Sequence, residues 1–287
     1  MKRSLFVLST LLLLLVGFFL IAETHHFSKK FQRYKIAYAS ELNFQSSLLD
    51  VKDYLYSNEW LTTQQSSTDK WKKAVRAKHQ ATFYGSLLAG WMTLYFFTFF
   101  ILFRLNKSSA LHFGFVLLNV SSLCLVTGIL LPFIELGAFL NDLTLDIGYG
   151  LSKTFEGKVY FFYQSKTVIQ LIQSLFAYGN WIVGSCILLF SVVFPFAKLA
   201  LFYSFLFSKK ISEQKRLLKI ATYMGKYSMA DIFVAACFLA FLSFNNLNIG
   251  IQTESTTLIG LYFFLGYCLL SIGTYFILQR KKLVNLD

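Results

Sequence analysis

Lys198 and Asp231 are single full charges of opposite sign set in apolar runs, Pro195-Phe196-Ala197-Lys198-Leu199 and Ser228-Met229-Ala230-Asp231-Ile232. A charge inside a bilayer costs about 2.5 to 3.5 kcal/mol on insertion scales, so it is kept there by a partner or by a function. The chemistry open to such a pair is proton transfer: a carboxylate that gains a proton leaves its ammonium partner uncompensated and biases the bundle towards another packing. Ser191 stands seven residues before Lys198 and Ser228 three before Asp231, each on the helical face of its charge, so the four form a candidate polar track. The alternative is a structural ion pair that fixes helix register, with the serines bonding back to their own helices.

Only a bundle of membrane helices can position those groups. Hydrophobic residues make up 56% of the 287, charged residues 14%, and the mean hydropathy is +0.56, which excludes a soluble globular domain. Runs at 4–22, 82–103, 111–133, 180–207, 228–245 and 257–279 meet the requirement of about 20 apolar residues per span. The fold class is therefore an all-α polytopic membrane protein with six transmembrane helices. Pro132 and Pro195, the only prolines, lie late in the third and fourth spans and are expected to shape them. Gly179 is expected to turn the chain into the fourth span, and Gly225 opens the approach to Asp231.

Lys and Arg in the connections set the orientation. Residues 2–3, 104–107, 209–226 and 280–282 hold thirteen, against Lys153, Lys158 and Lys166 on the other side, which predicts both termini in the cytoplasm. The ten basic residues between 29 and 78 do not oppose this, because loops of nearly 60 residues cross largely regardless of charge. The net charge of +13 is thus a topology signal and gives no nucleic-acid partner. The first apolar run is too long for a signal-peptide core and lacks a good small-x-small cleavage site, which favours an uncleaved anchor.

Two connections have structure of their own. Residues 23–81 contain neither proline nor glycine, and Phe44, Leu48, Val51 and Leu55 recur at helical spacing, so an outer helical hairpin is expected, with its second helix starting near Asp69. Between the third and fourth spans, Leu143 to Ile147 and Val159 to Tyr163 flank a turn-rich stretch and predict a small β hairpin. Val168, Leu171, Ile172 and Leu175 then share one face of an interfacial helix ending before Gly179.

The series from Leu131-Pro132 through Gly179-Asn180-Trp181 and Pro195-Phe196-Ala197-Lys198-Leu199 to Gly225-Lys226-Tyr227-Ser228-Met229-Ala230-Asp231 resembles the paraquat-inducible protein A family over residues 108–282. The resemblance implies one module of four spans (111–133, 180–207, 228–245, 257–279), tetraspanin- or claudin-like, with a periplasmic β and amphipathic segment at 134–179. It further implies a bacterial inner-membrane protein that moves phospholipid or a related amphiphile, partnered by a periplasmic protein of the mammalian-cell-entry type. Members usually carry CxxC zinc-ribbon elements and often two modules; this chain has no CxxC and one module. No metal or cofactor site is therefore expected. Residues 1–107, with spans 4–22 and 82–103 around the outer segment 23–81, form an extension beyond the resemblance.

Rival readings are an enzyme and a non-transporting scaffold or sensor subunit. GxSxG, HExxH and GxxxxGK are all missing, so the usual machinery for hydrolysis or phosphoryl transfer is not present. His79 and His112 fall at opposite mouths of their spans and do not share a ligand sphere, while His25 and His26 read as surface residues. Gly266 and Gly273 mark a smooth stripe on the last span, read as close helix packing, with Ser271 and Thr274 as further hydroxyls for the polar track.

Overall fold

The computed structural model describes residues 3–42, 59–105, 110–146, 152–208, 213, 216–217, 219–220 and 252–284. In chain order the elements are α1 (Arg3–Glu41), α2 (Glu59–Leu105), α3 (Ala110–Leu130), β1 (Pro132–Asp146), β2 (Ser152–Thr167) and α4 (Val168–Ala177). They continue with α5 (Trp181–Leu188), a π-helical turn (Leu189–Val193), α6 (Phe194–Phe207), β3 (Gln252–Thr257) and α7 (Ile259–Val284). Among the described residues five helical runs are long and apolar enough to cross a membrane, α5 to α6 counting as one. Each coincides with a predicted span; the predicted span 228–245 lies outside the described residues.

α1 and α2 extend far beyond their apolar parts and pack along each other as a helical pair. Buried positions on α1 run Ile21, Thr24, Ser28, Phe31, Lys35, Ala39, and on α2 Ala74, Ala77, Ala81, Gly85, Leu88, Met92, Tyr95, Phe99. Both series step by three and four residues, the 3.5-residue repeat of a left-handed coiled coil. Small residues (Ala74, Ala77, Ala81, Gly85) let the two backbones come close. α2 begins at Glu59, ten residues before the expected start, so the polar run Thr62 to Thr68 is helical. The amphipathic stretch expected around Phe44 to Leu55 lies outside the described residues.

α3 buries polar Asn119, Ser121 and Thr127 along with its apolar residues and is the most enclosed of the spans, as a helix at the centre of a bundle must be. It packs along α7 without side chains between them at two points. A methyl group on Gly128 would lie 2.9 Å from Phe264 Cα, and one on Gly260 would lie 2.5 Å from the Leu131 carbonyl oxygen. Gly266 and Gly273 are less tightly held, with 3.7 Å to their nearest neighbours, so the closest approach falls at glycines other than the two singled out in the sequence.

The prolines act differently from one another. Pro132 is not late in a helix: α3 ends at Leu130 and Pro132 is the first residue of β1, a position where a missing N–H costs no ladder bond. Pro195 does sit inside a continuous helical run. The wide turn at Leu189–Val193 precedes it and makes room for the ring, which would otherwise collide with the carbonyl of Ser191.

The β segment is a three-stranded antiparallel sheet ordered β2-β1-β3. Its first two strands contain residues 143–146 of the first expected segment and all of the second, 159–163, but are three times as long; Ile147 lies outside the described residues. The third strand was not foreseen: Gln252-Thr253-Glu254-Ser255-Thr256-Thr257, just before α7, pairs with Ile134 to Phe139. One face of β1, through Glu135 and Phe139, turns towards the hairpin. Ala39 and Leu42 pack on Phe139, Val159 and Tyr160, and Tyr160 N–H donates to the Leu42 carbonyl at 2.8 Å.

Candidate functional site

An apolar groove lies between α2, α3 and α7 within the membrane-length part of the bundle, with a volume of about 430 Å³. Thr82, Ser86, Ala89, Met92 and Phe96 form one wall, Val120 and Cys124 the floor, and Ile259, Tyr262, Phe263 and Gly266 the other wall. The hydroxyls on the α2 wall do not make it polar. Thr82, Ser86 and Thr93 each donate to the carbonyl three residues back, at 2.8 Å, 2.8 Å and 2.9 Å, and so present carbon to the groove. Gly266 keeps the groove open, because any larger side chain there enters the space beside Cys124.

One helical turn beyond Thr82, on the sheet side, Lys78 joins a buried ion cluster. Its centre is Glu135 on the middle strand. The Glu135 carboxylate lies 3.4 Å from Lys35 Nζ of α1 and 3.5 Å from Lys78 Nζ of α2. It also accepts hydrogen bonds from Tyr163 of β2 at 3.0 Å and Thr256 of β3 at 2.9 Å. Every strand and both hairpin helices thus meet at one carboxylate. The Lys35 and Glu135 side chains are only 6% and 8% exposed, and the Lys35 ammonium also lies 3.9 Å from the centre of the Trp71 ring.

The electrostatics follow from that geometry. Lys35 stands 13 residues past the end of the apolar run of α1, about 20 Å beyond it at 1.5 Å per residue. Burial would push the Glu135 carboxyl up, but the ammonium groups of Lys35 and Lys78 and the bonds from Thr256 and Tyr163 outweigh burial and hold it below the usual carboxylate range. Burial holds Lys35 below the usual lysine range, opposed in part by Glu135 and Glu254. Burial and the neighbouring carboxylate push the Tyr163 phenol up, so it stays a donor. Neither groove nor cluster was foreseen in the sequence. The signal for Lys35 was its place in the 3.5-residue series, where a core residue is expected and a cation stands.

Of the residues singled out in the sequence, Lys198 is half-buried on α6, its Nζ 5.9 Å from the Phe202 ring centre. Ser191 lies in the π-helical turn, fully buried, and its hydroxyl has no hydrogen-bond partner among the described residues. That turn departs from the regular helix assumed when Ser191 and Lys198 were assigned one face. Pro195 is the second residue of α6, and its carbonyl accepts from Tyr267 at 3.4 Å. Gly179 has φ of 77° and turns the chain between α4 and α5. Gly225, Ser228 and Asp231 lie outside the described residues. Thr274 bonds back to Leu270, and the Ser271 hydroxyl is buried beside Tyr267. His79 and His112 are both exposed, and the His112 ring meets the Phe6 ring edge-on.

Comparison with known proteins gives one family. Residues 153–283 match the family model described as paraquat-inducible protein A, a stretch that runs from β2 through α7 and leaves α1 to β1 outside it. No curated protein and no solved structure matches the chain.

Proposed function

From the premise that residues 153–283 belong to the paraquat-inducible protein A family, we propose that this multi-pass membrane protein is the inner-membrane component of an intermembrane phospholipid or amphiphile transport system. It loads or unloads lipid for a periplasmic tunnel protein of the mammalian-cell-entry type. The observation that supports the reading is the groove between α2, α3 and α7, whose walls are almost wholly apolar and whose upper edge approaches the charged cluster. A lipid tail needs such a wall, and a purely structural bundle gains nothing by leaving it unfilled.

Filling the groove tests this. Gly266→Ala adds a methyl 3.7 Å from Cys124 Sγ and is expected to behave as the native chain. Gly266→Phe is expected to fold and to lower lipid transfer between reconstituted donor and acceptor vesicles at least tenfold. Full transfer by a well-folded Gly266→Phe protein argues for the scaffold reading instead.

The driving step is proposed at Lys198 and Asp231, on the sequence argument that two opposite charges start from the same cytoplasmic side. Asp231→Asn keeps the shape of the carboxyl and mimics its neutral form. It is expected to give a folded protein without lipid transfer; normal transfer by Asp231→Asn sinks the proton-linked step and leaves the groove untouched.

A further inference from the structure

A second, polar cavity of about 340 Å³ opens where α1, the α3–β1 corner and the start of α4 meet. Its depth is fixed by three chain features: the apolar run of α1 has just ended at Ala22, α3 ends at Leu130, and α4 is an amphipathic helix with Val168 and Ile172 buried. That is the headgroup level of a bilayer. His25, Ser28, Lys29 and Gln32 line it from α1, and Gln170 and Gln173 from α4; no carboxylate does.

The polar groups of this cavity are arranged for an anion. Lys29 is exposed and supplies a full positive charge. Ser28 is only 6% exposed, yet its hydroxyl makes no hydrogen bond among the described residues, so a buried donor faces the cavity without a partner. Gln32, also 6% exposed, holds Ser165 and Gln170 only through long contacts of 3.3 to 3.5 Å. A complete capping box between Thr167 and Gln170 fixes the first turn of α4, which brings the positive end of its dipole to the same corner.

A continuous lipid-facing stripe leads into this corner. Leu11, Leu15 and Phe18 are exposed at 52%, 69% and 56%, and with Ala22 they follow the three-to-four spacing that continues through His25 to Lys29. We infer that the cavity binds the phosphodiester of a phospholipid of net negative charge, with the acyl chains lying along this stripe of α1. A zwitterionic lipid is disfavoured because no carboxylate lines the cavity to meet its ammonium group. The inference deepens the lipid-transport reading by naming the headgroup chemistry, at a place separate from the groove.

The test is native mass spectrometry of the full chain taken from equal mixtures of phosphatidylglycerol and phosphatidylethanolamine. The native chain is expected to retain phosphatidylglycerol at least tenfold over phosphatidylethanolamine. Lys29→Gln, a change at an exposed position, is expected to abolish that preference without lowering thermal stability, while Lys30→Gln, one residue outside the cavity lining, keeps it. Millimolar glycerol phosphate is expected not to displace the lipid. Displacement by glycerol phosphate at that concentration overturns the lipid assignment in favour of a soluble anion, and equal retention of both lipids overturns the site. Gly266→Phe separates the two readings: it is expected to abolish transfer and leave headgroup preference intact.

Discussion

Glu135→Ala is expected to cost the protein about 3 to 5 kcal/mol, the range found when one member of a buried ion pair is removed and the other stays behind uncompensated. Here Lys35 is the residue left behind. Its side chain is 6% exposed, and the hydrogen bonds from Tyr163 and Thr256 lose their acceptor in the same step. Thermal unfolding in detergent should show the loss, and hydrogen exchange should show it first where α1 and α2 meet the sheet. Lys35→Met with Glu135→Leu removes both desolvation costs and is expected to recover most of the stability, since Lys78 is exposed enough to return to water. A native melting temperature for Glu135→Ala would falsify the view that this carboxylate ties the hairpin to the sheet.

The same cluster predicts a pH dependence. The folded-state pKa of Glu135 lies below its ordinary value, so its contribution is complete above the ordinary carboxylate range and is lost as pH falls through the depressed pKa. Stability is therefore expected to hold from neutral pH down to the ordinary carboxylate range and to fall below it. In Glu135→Leu with Lys35→Met this acid-dependent part should vanish.

Gly260→Ala is the second large effect. Its methyl would lie 2.5 Å from the Leu131 carbonyl oxygen and 2.7 Å from that of Pro132, both backbone atoms at the corner between α3 and β1. No rotamer change relieves such a contact, so α7 must move away from α3. Overpacking costs about 1 to 3 kcal/mol in well-packed cores, and the upper end is expected here because backbone must yield. The adjacent Leu258 N–H bond to Phe133, at 2.9 Å, holds β3 against this corner and should weaken with it. Gly90→Ala is the matched control: nothing lies within 4 Å of its added methyl, and its melting temperature should not fall. Equal melting of the Gly260→Ala and native proteins would contradict the close approach of the two helices.

The spans were legible because hydropathy and length act locally, and five of the six proposed spans coincide with helical runs among the described residues. The strand boundaries were not. Leu131-Pro132-Phe133-Ile134 continues the apolar run of α3, and only the proline marks the change from helix to strand. β3 is polar and short, and its pairing with β1 joins residues more than a hundred positions apart, which no local pattern reports. Glu135 and Lys35 are separated by a hundred residues, and no local pattern pairs them. The groove was invisible for a different reason. Gly266 was read as a packing residue, and only the placement of α2 across from α7 turns the smooth stripe into a wall.

The coiled-coil pairing of α1 and α2 sets a rule about length. The sheet is anchored at the membrane through α3 and α7, so the height of Glu135 above the bilayer is fixed by short connections. Lys35 reaches that height because 13 residues separate it from Ala22 along a continuous helix. The hairpin therefore works as a ruler as far as Leu42, whose carbonyl is still held to the sheet by the Tyr160 N–H. Inserting seven residues between Ala22 and Lys35 would keep the seam of small residues in phase yet lift the lysine about 10 Å past its carboxylate. The same seven residues inserted in each helix past the cluster would leave every charged contact where it is.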